Sequence, residues 1–157
     1  MTEPARRLKN LVILGSTGSI GRQTLEVVER YPELFKVVGV AARDETELLL
    51  EQVNKFSPVW VGVSGSRAYQ ELKQRLPAGV HLVSGMEGLR ELASLPLADM
   101  VVVALSGSVG IQPTLAAINA GKNIALANKE TLVAAGDIVM GETCEASMAD
   151  RIRRTLP

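Results

Sequence analysis

Residues 11–21 read LVILGSTGSIG, from Leu11 to Gly21. A short apolar run ends in Gly15, Gly18 and Gly21, and a helical pattern follows at once. Strand, glycine turn and helix, in that order, are what a dinucleotide phosphate requires. Gly15 allows a tight turn. Gly18 lets backbone approach a pyrophosphate with no Cβ in the way. Gly21 lets the helix pack close to the strand. The free N–H groups and the positive end of that helix then face the phosphates. The spacing is G-x-x-G-x-x-G rather than the commoner G-x-G-x-x-G, and the same residues also describe a β–α turn that holds no ligand.

Outward from this turn the chain alternates between two periods. Leu11 to Leu14, Lys36 to Ala42, Val59 to Val63 and Met100 to Leu105 are short apolar runs, and Asn123 to Leu126 is a weaker fifth. Nearly continuous apolar runs suit strands buried on both faces of a parallel sheet. Between them lie helical spacings. Ile20, Thr24, Val27, Val28 and Tyr31 share one helix face, as do Leu49, Val53 and Phe56, and Ile111, Leu115 and Ile118. Pro32 and Pro58 stand where one element gives way to the next. His81 to Ser84 reads equally as a minor strand or a connection. The β-α-β-α order predicts an α/β fold: a doubly wound parallel sheet with right-handed crossovers, a Rossmann-like dinucleotide-binding domain. No internal repeat, low-complexity tract or linker interrupts it, so residues 1–157 are expected to form a single domain.

Composition narrows the partners. The chain has 157 residues with 17 Lys plus Arg and 17 Asp plus Glu, a formal net charge of zero. Bulk charge therefore points to neither nucleic acid nor a membrane surface. The single cysteine, Cys144, has no internal disulfide partner, as expected in a reducing compartment. Residues 1–10 lack the apolar core of a signal peptide, and the longest apolar run, Met100 to Leu105, is far too short for a membrane span. A cytoplasmic location is the default expectation.

The end of the second strand bears on the choice of nucleotide. An acidic residue there takes a ribose 2′-OH, whereas an arginine suits a 2′-phosphate. FKVVGVAA runs straight into Arg43, whose guanidinium can pair with a phosphate, so NADP is expected over NAD. Asp44 and Glu45 follow immediately. Either can reach a 2′-OH, or Asp44 can cap the next helix with Glu47 in a capping-box-like arrangement.

A second informative stretch runs from Ala104 to Gly136. Gly107 and Gly110 follow the fourth strand and open another helix, at the carboxyl edge where ligands sit in such sheets. Asn128, Lys129 and Glu130 then stand at the end of a strand. Lys129 can hold an anionic substrate group, and Asn128 or Glu130 can hydrogen-bond a ribose or nicotinamide. The triplet also reads as a polar helix start, with Glu130 favoured by the helix dipole. Gly121-Lys122-Asn123 is no phosphate-binding P-loop, because Asn replaces the needed Ser or Thr.

GSTGSIGRQTLEVV and ALSGSVGIQPTLAAINAGKNIALANKETLV together resemble 1-deoxy-D-xylulose 5-phosphate reductoisomerase, in one register from about Leu11 to Met140. The resemblance implies an NADPH-dependent enzyme that also uses a divalent metal, Mg or Mn. Its reaction converts 1-deoxy-D-xylulose 5-phosphate to 2-C-methyl-D-erythritol 4-phosphate in non-mevalonate isoprenoid synthesis. Carried over by motif, the cofactor contacts fall on Thr17, Gly18, Ser19, Ile20, Arg43, Asn128 and Glu130, and Lys129 contacts substrate. A homodimer is compatible with it; nucleic-acid and membrane partners are not expected.

The chain departs from the family at two places. The family's small-basic-Asn stretch is here Arg43-Asp44-Glu45. The family's leucine-proline followed by a Val-Asp-Ser-Glu-His stretch, which supplies metal and substrate ligands, is matched here only by Leu156-Pro157. The expectation is thus a nucleotide domain without the family's catalytic and C-terminal domains, with no metal-ligand or catalytic residues of its own. His81 reads as a surface or structural histidine, Trp60 as core and Cys144 as a small buried helix residue. Asp137, Glu142, Glu145 and Asp150 read as a solvated helix face. The alternative is a truncated NADP-binding module that turns over nothing. A weaker third reading, a semialdehyde dehydrogenase or dihydrodipicolinate reductase, requires a catalytic Cys or His in context, and none is found.

Overall fold

The structure, a computed structural model, describes residues 7–134. Asp137, Glu142, Cys144, Glu145, Asp150 and the Leu156-Pro157 end lie outside the described residues.

Six strands form one parallel sheet: β1 (Lys9–Leu14), β2 (Phe35–Ala42), β3 (Trp60–Val63), β4 (His81–Ser84), β5 (Met100–Val103) and β6 (Asn123–Leu126). They are connected through α1 (Ser19–Arg30), α2 (Thr46–Phe56), α3 (Ser66–Arg75), α4 (Gly85–Ala93) and α5 (Ile111–Asn119). The spatial order is β4-β3-β2-β1-β5-β6. The chain builds outward from β1 through β4, then returns to its other side with β5. That reversal makes the carboxyl ends of β1 and β5 the switch point of a doubly wound sheet. The expected fold is observed, with His81–Ser84 as an edge strand.

Burial explains the continuous apolar runs. Val12, Ile13 and Leu14 are fully buried because helices cover both faces. Ile13, Val40 and Val61 meet Leu25, Leu49, Val53 and Leu72 on the α1–α3 side. Val12, Leu14, Val101 and Val103 meet Leu89, Leu92 and Ala117 on the α4–α5 side. Leu92 lies so close to β3 that a Cβ on Gly62 would stand 2.6 Å from its Cδ1. Pro32 and Pro58 fall between elements, as read.

Three local expectations are corrected. The buried face of α1 is Gly21, Leu25 and Val28, whereas Ile20, Val27 and Tyr31 are 46, 48 and 43% exposed. Close docking of Gly21 sets the roll of the helix. Ile20 and Val27 sit about 100° around the axis from the residues that follow them, and so turn outward. In α5 the buried residues are the smaller Pro113, Thr114 and Ala117, with Ile111, Leu115 and Ile118 half-buried beside them. Trp60 is half-buried, not core, and stacks on the exposed His81 ring with centroids 4.7 Å apart. Both residues begin their strands, at the sheet end opposite the switch point.

Candidate functional site

The turn after β1 is built from backbone contacts. The N–H groups of Gly15 and Ser16 both donate to Ala41 O of β2, at 2.8 and 2.9 Å. Gly15 has φ +87°, and a Cβ there would lie 2.3 Å from Ala104 O beyond β5. A Cβ on Gly21 would lie 2.1 Å from Gly15 O and 2.6 Å from Ser16 Cα. Gly21 therefore docks α1 against the loop leaving the strand. Gly18 differs: its Cβ would meet only Gly15 O, at an ordinary 3.5 Å. Packing among the described residues does not require glycine at position 18, and among them the space above it is open.

Gly18 is also the N-cap of α1, with no side-chain cap and no acidic residue in the first turn. The Arg22 N–H makes the first intrahelical bond, to Gly18 O at 2.9 Å. The preceding N–H groups of Ser19, Ile20 and Gly21 are donors that a helix start leaves without intrahelical partners. Such donors, at the positive end of the dipole, suit an anion.

Two polar residues hold the loop from the second βα unit. Gln52 of α2, buried, donates Nε2–H to Ser16 O at 2.9 Å. Its Oε1 and the Ser16 Oγ are buried without a partner. Sequence reasoning missed Gln52, although it shares the buried face of Leu49 and Val53, which was the available signal. Glu45 is the second. Its Oε2 accepts from Thr17 Oγ1 at 3.2 Å and from the Asp44 N–H at 3.3 Å. Its own backbone N–H is the largest influence and lowers the carboxyl from its ordinary value; burial, the next largest, opposes it, and the Asp44 N–H, Thr17 and the Arg43 charge add to the lowering. Its contribution to stability is thus present above the ordinary carboxylate range and fades as pH falls through the lowered folded value.

The capping-box expectation for Asp44 and Glu47 is corrected. The N-cap of α2 is Glu45 and no side chain caps it. The Glu45 carboxylate turns back toward the glycine loop, while Glu47 pairs with Arg75 of α3. Arg43 stands at the end of β2, its side chain 85% exposed, 3.6 Å from the Asp44 carboxylate.

Across the switch point, Asn128 is a clamp. Its Nδ2 donates to Leu105 O and Gly107 O at 2.8 and 2.9 Å, and its Oδ1 accepts from the Glu130 N–H at 2.9 Å. One side chain thereby ties the loop after β5 to the end of β6 and caps the helical residues 129–134. Both amide protons are committed within the protein. Lys129 and Glu130 are exposed, and Thr131 is buried against Gly110. The clamp is invisible in sequence because the two carbonyls it holds lie 23 and 21 residues away.

These features fit a dinucleotide: an open face over Gly18, unclaimed helix donors below it, and polar groups at the carboxyl ends of β2 and β6. They do not fit a metal. Among the described residues no three His, Cys, Asp or Glu side chains come together to hold one. No helix among the described residues is long and apolar enough to cross a membrane.

Fold and site together define a Rossmann-like dinucleotide-binding domain. The profile of the 1-deoxy-D-xylulose 5-phosphate reductoisomerase family matches residues 11–136. The chain belongs to that family. It is 50% identical over 151 residues to the 1-deoxy-D-xylulose 5-phosphate reductoisomerase of Pelotomaculum thermopropionicum, covering 95% of this chain and 38% of the relative. A solved DOX-P reductoisomerase in complex with NADPH, fosmidomycin and magnesium superposes with a TM-score of 0.80 at 40% identity, over 85% of this chain and 33% of that one. The Zymomonas mobilis enzyme in complex with NADPH gives 0.79 at 32% identity, over 95% and 37%. The chain spans little more than a third of the length of the relatives it matches.

Proposed function

We propose that this chain is the NADPH-binding part of a 1-deoxy-D-xylulose 5-phosphate reductoisomerase, a single domain over residues 1–157 that works on water-soluble substrates in the cytoplasm. The observation that carries the reading is the unequal packing of the three glycines. Gly15 and Gly21 are closed in by backbone, while Gly18 faces open space at the switch point. In this reading Thr17, Gly18, Ser19 and Ile20 hold the pyrophosphate through backbone donors and the Thr17 hydroxyl. Arg43 pairs with the 2′-phosphate. Asn128 and Glu130 border the nicotinamide side, with Asn128 acting through the loop it clamps. Lys129 attracts the anionic substrate. NADPH supplies hydride when bound; the chain's own residues bind, orient and screen charge.

The contact at Arg43 is charge-assisted and worth about 1.5–3 kcal/mol, or about tenfold to a hundredfold in affinity. The chain is expected to bind NADPH more tightly than NADH in calorimetric titration, and Arg43→Ala to lose most of that difference. Equal affinities in the parent, or an unchanged ratio in the variant, would remove Arg43 from this role.

A finer part of the proposal concerns turnover. The described residues hold the nucleotide side alone, and the relatives are about two and a half times longer. The purified 157-residue polypeptide is therefore expected to show no metal-dependent NADPH oxidation with 1-deoxy-D-xylulose 5-phosphate. Steady oxidation above a protein-free control, abolished by chelator, would overturn it.

A further inference from the structure

Arg43 is not alone at the end of β2. Glu45 stands two residues on, exposed, with its carboxylate bound to the Thr17 hydroxyl of the glycine loop rather than to the helix it begins. Oε2 accepts from the Thr17 hydroxyl and the Asp44 N–H, so the group is moored between the two loops that flank the adenosine half of a dinucleotide. The carboxylate is exposed and keeps lone pairs to accept from a ligand hydroxyl beside these contacts. A carboxylate has no proton to donate while ionised, so it suits a hydroxyl and repels a phosphate.

We propose that Glu45 is a specificity-determining residue that opposes Arg43: its carboxylate accepts the ribose 2′-OH of NADH and its charge weakens the hold on the 2′-phosphate of NADPH. The site thereby takes both dinucleotides, with a narrower preference for NADPH than Arg43 by itself would set. This rests on the reading that the glycine loop binds the dinucleotide.

Titration of both dinucleotides separates this role from a merely structural one. A residue that only tied the loops would affect both dinucleotides alike. A charge facing the ribose must affect them in opposite directions. The lowered carboxyl value keeps the group ionised through the neutral range, so the opposition operates under ordinary conditions. The Arg43 guanidinium is meanwhile near the Asp44 carboxylate, 3.6 Å away, which partly offsets its charge. Three charged side chains in sequence thus set the balance, and Glu45 is the one anchored to the phosphate loop.

The test is Glu45→Gln in the full 157-residue chain. Glutamine keeps an oxygen acceptor for Thr17 and for the Asp44 N–H, so the loops stay tied. Glu45→Ala is a second variant with the same expected sign, and circular dichroism verifies the fold of both. NADPH, NADH, 2′,5′-ADP and 5′-AMP are titrated by calorimetry. The expected result is tighter NADPH and 2′,5′-ADP, weaker NADH and 5′-AMP, and an NADPH-to-NADH affinity ratio raised about tenfold or more, comparable to one charge-assisted contact. A ratio that stays within twofold while both dinucleotides still bind overturns the role of Glu45 and leaves the binding site standing. Parallel shifts of both dinucleotides assign Glu45 to loop structure and likewise overturn it. Failure of the parent chain to bind any of the four ligands overturns the reading of the site, and this inference with it.

Discussion

Gly18→Val is expected to abolish dinucleotide binding and leave the fold intact. Gly18 has φ −72° and ψ 173°, extended backbone that valine adopts freely. A Cβ there meets only Gly15 O, at 3.5 Å, so the protein accommodates it. The branched side chain instead fills the space over the α1 donors, where the pyrophosphate must come within hydrogen-bond distance. Loss of two or more charge-assisted contacts at about 1.5–3 kcal/mol each corresponds to at least a hundredfold in affinity. Calorimetry with NADPH reads the binding and a thermal melt reads the fold. A variant that melts like the parent and binds normally would place the phosphates elsewhere.

Gly21→Ala is expected to destabilise the fold itself. The added methyl would lie 2.1 Å from Gly15 O and 2.6 Å from Ser16 Cα, and both are backbone atoms. Nothing flexible is available to yield, so α1 must move off the loop, or the loop off β1. Overpacking of this kind costs about 1–3 kcal/mol and occasionally more. The helix propensity gained on replacing glycine, about 0.8–1 kcal/mol, does not offset it. With about 2–4 °C per kcal/mol for a chain of this size, a net loss near 2 kcal/mol lowers Tm by about 4–8 °C. Urea unfolding that puts the variant within about 0.5 kcal/mol of the parent would show that the contact relaxes at little cost. Binding should weaken too, because the same shift moves the Ser19 and Ile20 donors. The two glycines stand three residues apart, and the pair of variants separates ligand space from packing space.

The architecture was legible in the order of elements. Continuous apolar runs at Leu11, Lys36, Val59, Met100 and Asn123, separated by helical spacings and prolines, leave few topologies once crossovers are right-handed. The glycine turn was legible for the same reason: strand, glycines and helix are contiguous, so their relation is local. Membership of the family was legible because two separated motifs, GSTGSIG and ANKE, occur in one register. The ends of five strands were read to within two residues, whereas α3 and α4 were not assigned from the sequence. The edge strand His81–Ser84 was not decided, because an edge strand is half-buried and lacks a distinctive pattern.

Tertiary contacts decided the remainder. Periodicity put Ile20, Val27 and Tyr31 on an apolar face, but a helix has a second degree of freedom, its roll, and close docking of Gly21 sets it. The sequence offered Asp44 and Glu47 as a capping pair. The fold gives Glu45 to Thr17 and Glu47 to Arg75, since both partners lie 28 residues away and arrive only when the strands pair. Gln52 reaches Ser16 O across 36 residues, and Asn128 reaches Leu105 O across 23. Residue type and local spacing determine which elements form and which turn can face a phosphate. Long-range pairing determines which polar side chains hold that turn, because a hydrogen bond depends on distances and angles that only the assembled sheet imposes.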